Sequence, residues 1–201
     1  MSTAVLRGYP RSLSCNASTV VIRLMTAADG PALSAFVQTL SSRDLLFVRR
    51  DITHPKVIMA WLQALEQGNV TSLVAYDGDE LVGCTAIVSD TLSWSRHVGE
   101  MRVLVAPAWR GCGLGRALIQ ECFALGLERG LEKLTVQMTV DQQAAITVFE
   151  ELGFRAEAVL HKHVKDHEGN AYDLALLSHD VAEVQALMET LGVPEALDSE
   201  G

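Results

Sequence analysis

From Val103 to Arg116 the chain reads V-L-V-A-P-A-W-R-G-C-G-L-G-R, an apolar strand-like triplet, a proline, then an arginine and three alternating glycines that run into an apolar-periodic segment. That order takes the backbone from an extended strand through a tight turn directly into a helix. The first N–H groups of such a helix have no intrahelical partner, and their partial positive charge suits phosphate oxygens. Glycine belongs in the turn because a Cβ would block the close approach of a ligand to those amides. The turn therefore points to a phosphorylated ligand.

The glycine spacing separates three kinds of phosphate loop. A nucleoside triphosphate loop requires Gly-Lys followed by Ser or Thr, and no lysine occurs between Met101 and Arg129. A dinucleotide fingerprint requires Gly-x-Gly-x-x-Gly, but the sixth position is Arg116 counted from Gly111 and Leu118 counted from Gly113. What remains, Arg110-Gly111-Cys112-Gly113-Leu114-Gly115, resembles the pyrophosphate loop of the GNAT family of acetyl-CoA-dependent N-acyltransferases. Two further stretches carry the same resemblance in the same order. Gly99-Glu100-Met101-Arg102-Val103-Leu104-Val105 is similar to the family's fourth strand, and Asp141 to Phe154, with its Ala-Ile pair, Phe149 and Leu-Gly-Phe, is similar to its second signature.

The chain has 201 residues, 49% hydrophobic and 20% charged, which fits one domain large enough to bury roughly 70% of its unfolded surface. The expected organisation is a loose tail over 1–18, a single N-acetyltransferase domain over 19–192 and a frayed end over 193–201. Residues 1–18 lack the continuous apolar core of a secretory signal, and no apolar run approaches the ~20 residues of a membrane helix. No membrane partner is expected. With 25 acidic against 16 basic residues and a formal charge of −9, the chain lacks the overall basic character that nonspecific nucleic-acid binding requires. Cys15, Cys84, Cys112 and Cys122 form neither a C-x-x-C pair nor a regularly spaced disulfide framework, which suits a reducing cytoplasm. Cys112 reads as a small residue in a tight loop, with a nucleophilic thiol at the helix start as the alternative.

Periodicity gives a mixed α/β pattern. Val20 to Leu24 reads as a strand. Thr26 can cap a helix reaching Leu40, Ser42 to Arg50 is partly helical, and a second helix follows Pro55 and stops at Gly68. Asp77-Gly78-Asp79 joins Ser72–Tyr76 and Glu80–Val88 into a hairpin. Glu100–Val105 is a strand, Leu114, Leu118, Cys122 and Leu125 line one face of a helix ending at Gly130, and Lys133–Met138 is the next strand. Asp141 is expected to cap a helix over Ala144–Leu152. A hairpin of Phe154–Val164 and Ala171–Ser178 and a last helix over Asp180–Leu191 complete the reading. The resemblance implies a GNAT-like acyl-CoA N-acyltransferase fold: a mixed central sheet with flanking helices, splayed between its fourth and fifth strands so that the cofactor arm enters as a pseudo-strand.

The resemblance also implies the chemistry, namely direct transfer of an acetyl group from acetyl-CoA to an amine, with no metal. By that likeness Val103, Leu104 and Val105 run beside the pantetheine arm, and a backbone N–H near Val103 faces the acyl oxygen. Arg110, Gly111, Cys112, Gly113, Leu114, Gly115 and Arg116 hold the pyrophosphate, and Gln142 and Phe149 contact the cofactor arm. Glu100 is the expected base, since an alkylamine of pKa about 10.4 is mostly protonated at neutral pH and must lose a proton before it attacks. Phe149 stands where relatives often carry a tyrosine that protonates the departing thiolate; Tyr172 or a water would then supply that proton. Gln137 stands where relatives that modify protein N-termini often have Glu. These two departures keep a second reading open, a catalytically silent acyl-CoA sensor. Relatives often form homodimers, an option that the resemblance extends to this chain. The six histidines form no convincing metal set; His161 and His163 share a strand face without carboxylate or thiolate partners at metal spacing.

Overall fold

The computed structural model describes residues 8–15, 18–46 and 50–181. In chain order these form β1 (Arg11–Cys15), β2 (Ser18–Leu24), α1 (Gly30–Val37), α2 (Pro55–Glu66), β3 (Val70–Thr71), β4 (Leu73–Asp77) and β5 (Glu80–Val88). There follow β6 (Val98–Val105), α3 (Leu114–Glu128), β7 (Lys133–Thr139), α4 (Gln143–Glu151), β8 (Arg155–Lys165) and β9 (Ala171–Asp180). Short 3-10 turns at Ala27–Asp29, Ser42–Leu45 and Pro107–Trp109 punctuate the order. None of the described helices is long and apolar enough to cross a membrane.

Among the described residues the strands make one sheet in the order β1-β2-β4-β5-β6-β7-β9-β8, with β3 added beside β5. Every pairing is antiparallel except β6 with β7, where α3 supplies the crossover. The parallel ladder is short. It pairs Val98, Gly99, Glu100 and Met101 with Lys133, Leu134, Thr135 and Val136 and stops there. Both strands continue, β6 to Val105 against β5 and β7 to Thr139 against β9, so their facing edges diverge. The sheet is splayed at the fourth and fifth strands of the resembled fold, which here are β6 and β7 because β1 and β3 are additional.

Helices cover both faces, which is why β5, with seven successive buried residues, lacks polar alternation. On one face Leu114, Leu118, Cys122 and Leu125 of α3 and Phe149 of α4 pack against Ile87, Met101, Leu134 and Val136. On the other, Leu33, Phe36 and Val37 of α1 and Ile58 of α2 meet Val74, Cys84 and Leu104. Alternation along β6 thus sends Met101 to the α3 side and Leu104 to the α1–α2 side.

Several boundaries differ from expectation. Arg11–Cys15, expected within a loose tail, is an edge strand whose residues pair with Ser18–Ile22, and the segment docks on α3 through Tyr9 Oη to Glu121 Oε2 at 3.0 Å and Arg11 Nε to Glu121 Oε1 at 3.2 Å. Residues 1–7 and the helix expected over Asp180–Leu191, apart from its first two positions, lie outside the described residues. Thr26 caps a 3-10 turn rather than α1, because Asp29, three residues on, is drawn inward. Arg23 donates to both Asp29 carboxylate oxygens at 2.9 and 2.6 Å, and Tyr76 Oη and the Thr26 amide add bonds of 2.8 Å each. Asp141 does not cap α4: the cap position is Gln142, without a side-chain bond, and Asp141 pairs with Arg43.

The Arg23 guanidinium holds the Asp29 carboxyl well below the usual carboxylate range, and burial with the Asp29 bond pushes the Tyr76 hydroxyl up to about 12. A depressed carboxyl stabilises the fold fully above the unfolded value of about 3.9 and progressively less as pH falls below it. Asp29→Asn should therefore destabilise the protein at pH 7 and flatten the acid limb of its stability profile below about pH 4, read from urea midpoints across pH. Leu118 is fully buried beneath β5, and Leu118→Ala should lower unfolding free energy by about 3 kcal/mol in the same assay.

Candidate functional site

The divergence of β6 from β7 opens a cavity of about 610 Å³. Its walls are the end of β6 (Val103, Leu104, Val105), the glycine turn and start of α3 (Arg110, Gly111, Gly113, Gly115, Arg116), and the start of α4 with Gln142 and Phe149. The geometry follows from local sequence. Pro107 begins a 3-10 turn that ends β6, and Gly111 and Gly113 adopt φ of 78° and 91°, which a residue with a Cβ reaches only with strain. Gly113 is the N-cap of α3 and offers no side chain to its first amides. Space within 4 Å of its ideal Cβ position is open, so those amides face the cavity unobstructed.

Twelve of the thirteen site residues named from sequence were expected to touch the cofactor, and the structure brings most of them to this cavity. Two are turned away from it. Leu114 is fully buried in the core, and Cys112 is bonded to Cys15, 97 residues away, with Cα atoms 5.5 Å apart. The expectation of unpaired cysteines is corrected here for that pair: the hairpin of β1 and β2 carries Cys15 across to the glycine turn, a contact that cysteine spacing cannot foretell. Cys84 and Cys122 are free and buried, and burial pushes both thiols up to about 12. Neither is a nucleophile at neutral pH.

Charges around the cavity are already matched. Arg110 pairs with Asp44 at 2.9 Å and its guanidinium lies 3.3 Å from the Val105 carbonyl oxygen, covering the strand end. Arg116 pairs with Glu151 on α4, and Arg43 with Asp141. Asp44, which sequence reasoning missed, comes from the turn after α1 and meets Arg110 only through the tertiary fold. No Ser, Thr, Tyr, His, Cys or Lys is found among the described residues lining this cavity. Phe149 is buried edge-on against Phe154, and Tyr172 instead donates its hydroxyl to Asp166 at 2.8 Å, in the β8–β9 hairpin. Nor do His161 and His163 continue a simple strand face. Lys162 between them has φ of 49° in a bulge that Asp173 pins, through the Lys162 amide at 2.8 Å and His161 Nδ1 at 3.1 Å.

Glu100, the thirteenth residue, lies outside that cavity and inside a neighbouring one of about 350 Å³ on the α1–α2 side. Glu100 and Arg102 share this face of β6, and Arg102 donates from Nε and Nη2 to Glu100 Oε1 at 3.0 and 2.9 Å. The rest of the wall is largely apolar, with Ile52, Val57, Trp61 and Val70, and Trp61 is fixed by its indole N–H on Ser72 Oγ at 2.9 Å. The two cavities adjoin along β6, one ending at Arg102 and the other beginning at Val103. The Glu-x-Arg spacing was a legible signal for Arg102, since residues two apart on a strand face the same way.

A family model described as acetyltransferase (GNAT) family matches residues 36–154. The chain is 25% identical over 108 residues to N-alpha-acetyltransferase 30 of Schizosaccharomyces pombe, covering 53% of this chain and 72% of that one. It is 26% identical over 171 residues to the uncharacterized N-acetyltransferase YjgM of Escherichia coli, covering 84% and 94%. The spermidine N-acetyltransferase of Vibrio cholerae, solved with CoA and spermine, superposes with a TM-score of 0.68 at 15% identity, covering 83% of this chain and 98% of that one.

The Cys15–Cys112 bond closes a loop long enough to remove much chain entropy from the unfolded state, an effect of about 2–4 kcal/mol. Cys15→Ser, or reduction with dithiothreitol, should lower the melting temperature, and the reductant should leave the Cys15→Ser variant unmoved.

Proposed function

Because the chain belongs to the GNAT family of acetyltransferases, we propose that it moves the acetyl group of acetyl-CoA directly onto the nitrogen of an amine held in the smaller cavity. The observation that carries this reading is the broken β6–β7 ladder, whose unpaired edge, glycine turn and helix start meet in one cavity beside Glu100. An acyl-CoA fits the donor set found there. The β7-facing edge of Val103–Val105, whose last carbonyl Arg110 covers, matches the amides of a pantetheine arm, and the first amides of α3 with Arg110 and Arg116 match a diphosphate. Bound there, acetyl-CoA supplies an activated acyl carbon with a thiolate leaving group.

The chain's own residues then have separable tasks. The Gly111–Arg116 backbone anchors the phosphates, and the anion competes with Asp44 and Glu151 for the two guanidinium groups. A backbone N–H near Val103 polarises the acyl oxygen. Glu100 holds the acceptor's ammonium and takes its proton, directly or through water, so that the neutral nitrogen can attack. One C–N bond forms and one C–S bond breaks; the nitrogen gives up the proton that the departing sulfur requires. Water relays that proton from nitrogen to sulfur, because Phe149 has none and the Tyr172 hydroxyl is committed to Asp166. A thiol of pKa about 8.5 leaves without stronger assistance.

That no Ser, Thr, Tyr, His, Cys or Lys side chain is found among the described lining residues also suits a second reading, an acyl-CoA sensor that does not turn over. Following free thiol with acetyl-CoA and a broad amine panel separates the two: amine-stimulated release supports transfer, and tight binding without release supports the sensor. Gly113→Val places a branched side chain at φ of 91° in the space that the phosphates would occupy, so calorimetry should detect no CoA binding, while wild-type affinity would refute the assignment of the turn. Glu100→Gln should lower kcat about 100-fold or more with CoA affinity unchanged.

A further inference from the structure

The smaller cavity has an unusual charge inventory for a site that must hold a cation. Of the described residues that line it, Glu100 is the only acid, and two are arginines, Arg50 and Arg102. Glu100 and Arg102 side chains are only 14% and 21% exposed, so each depends on a partner of opposite sign. An acceptor whose ammonium takes Glu100 loosens the carboxylate's bond to Arg102. If the acceptor carries positive charge alone, Arg102 is left half-buried with a weakened partner. If it also carries a carboxylate close to the nitrogen, the internal pair opens around it and each charge exchanges one partner for another. The volume, about 350 Å³, lies at the small-molecule end of binding sites. Beyond the ion pair, Arg50, Asn69 and Ser89, the described walls are apolar, and the fixed indole of Trp61 with Ile52, Val57 and Val70 forms a sleeve for a hydrocarbon side chain.

We infer that the acceptor is a zwitterionic α-amino acid with an apolar side chain, its ammonium on Glu100, its carboxylate on Arg102 with Arg50 beside it, and its side chain against Trp61. This rests on the acetyl-transfer reading and narrows it. Among the described lining residues a polyamine meets two guanidinium groups and a single carboxylate, and a lysine side chain or a protein N-terminus brings no free carboxylate to Arg102. Arg102 is a specificity-determining residue: it selects what Glu100 may hold.

The test uses full-length protein with acetyl-CoA and four acceptors, L-leucine, L-leucinamide, 3-methylbutylamine and spermidine, followed by thiol release. L-leucine should exceed the two carboxylate-free analogues in kcat/KM by roughly 100-fold or more, since a site with a buried polar group rejects ligands that leave it unpaired. Calorimetry gives a readout independent of turnover, with L-leucine binding to CoA-saturated protein and 3-methylbutylamine not binding. Arg102→Gln should erase the preference for L-leucine over L-leucinamide chiefly through KM, while its CoA affinity, measured alongside, reports that the variant is folded. Equal rates for L-leucine and 3-methylbutylamine, or a preference for spermidine, would overturn the zwitterion assignment and leave acetyl transfer standing. CoA binding without turnover of any of the four, or no CoA binding, would overturn it as well, the second result removing the acetyl-transfer reading beneath it.

Discussion

The parallel ladder between β6 and β7 ends at Met101 and Val136, although both strands run on for several residues with strand partners, among the described residues, on their outer edges alone. Exposed strand edges carry unpaired N–H and C=O groups, which most folds cover or avoid. Here the outer pairings to β5 and β9 hold each strand in place, so the inner edges can part without either strand fraying. The larger cavity follows from that parting. The glycine turn matters because it follows the unpaired end of β6 directly, placing the α3 amides next to the open backbone.

Electrostatic design around the site is one of satisfied pairs. Arg110 with Asp44, Arg116 with Glu151, Arg43 with Asp141 and Arg102 with Glu100 leave few charges to be met for the first time by a ligand. Exposed pairs of this kind contribute little to stability, typically below about 1 kcal/mol. They can be exchanged for a ligand's phosphate at small net cost. The Glu100–Arg102 pair differs because it is largely screened from water, and what replaces it must offer both signs. Covalent attachment of the glycine turn to the edge strand through Cys112 and Cys15 adds a restraint on the far side of the same turn.

Much of this was legible locally. The helix α3, the Asp-Gly hairpin of β4 and β5, the strand with Glu100 and the glycines at positive φ are all governed by residues within one element or turn, where periodicity and backbone sterics decide. Failures came where a distant partner overrode a local preference. Asp141 is a plausible cap by type, yet it turns to Arg43, nearly a hundred positions away in the chain. Arg11–Cys15 has no marked strand period and becomes a strand because β2 offers an edge and α3 offers Glu121. Cys112 looked like a filler in a turn until the hairpin brought Cys15 to it.

By itself the sequence determined the glycine turn: three glycines after a strand, spaced against both nucleotide motifs, specify a positive-φ backbone that leads into a helix whose first amides are unpaired, and that depends only on Cβ sterics and the geometry of a helix start. The tertiary structure decided what lies beside those amides. The lengths of the β6–β7 pairing, the match of Arg110 to Asp44, the bond between Cys15 and Cys112 and the placing of Glu100 in a separate cavity all arise from contacts between segments far apart in the chain. Their geometry is set by packing on the two faces of the sheet, which no local window of residues contains.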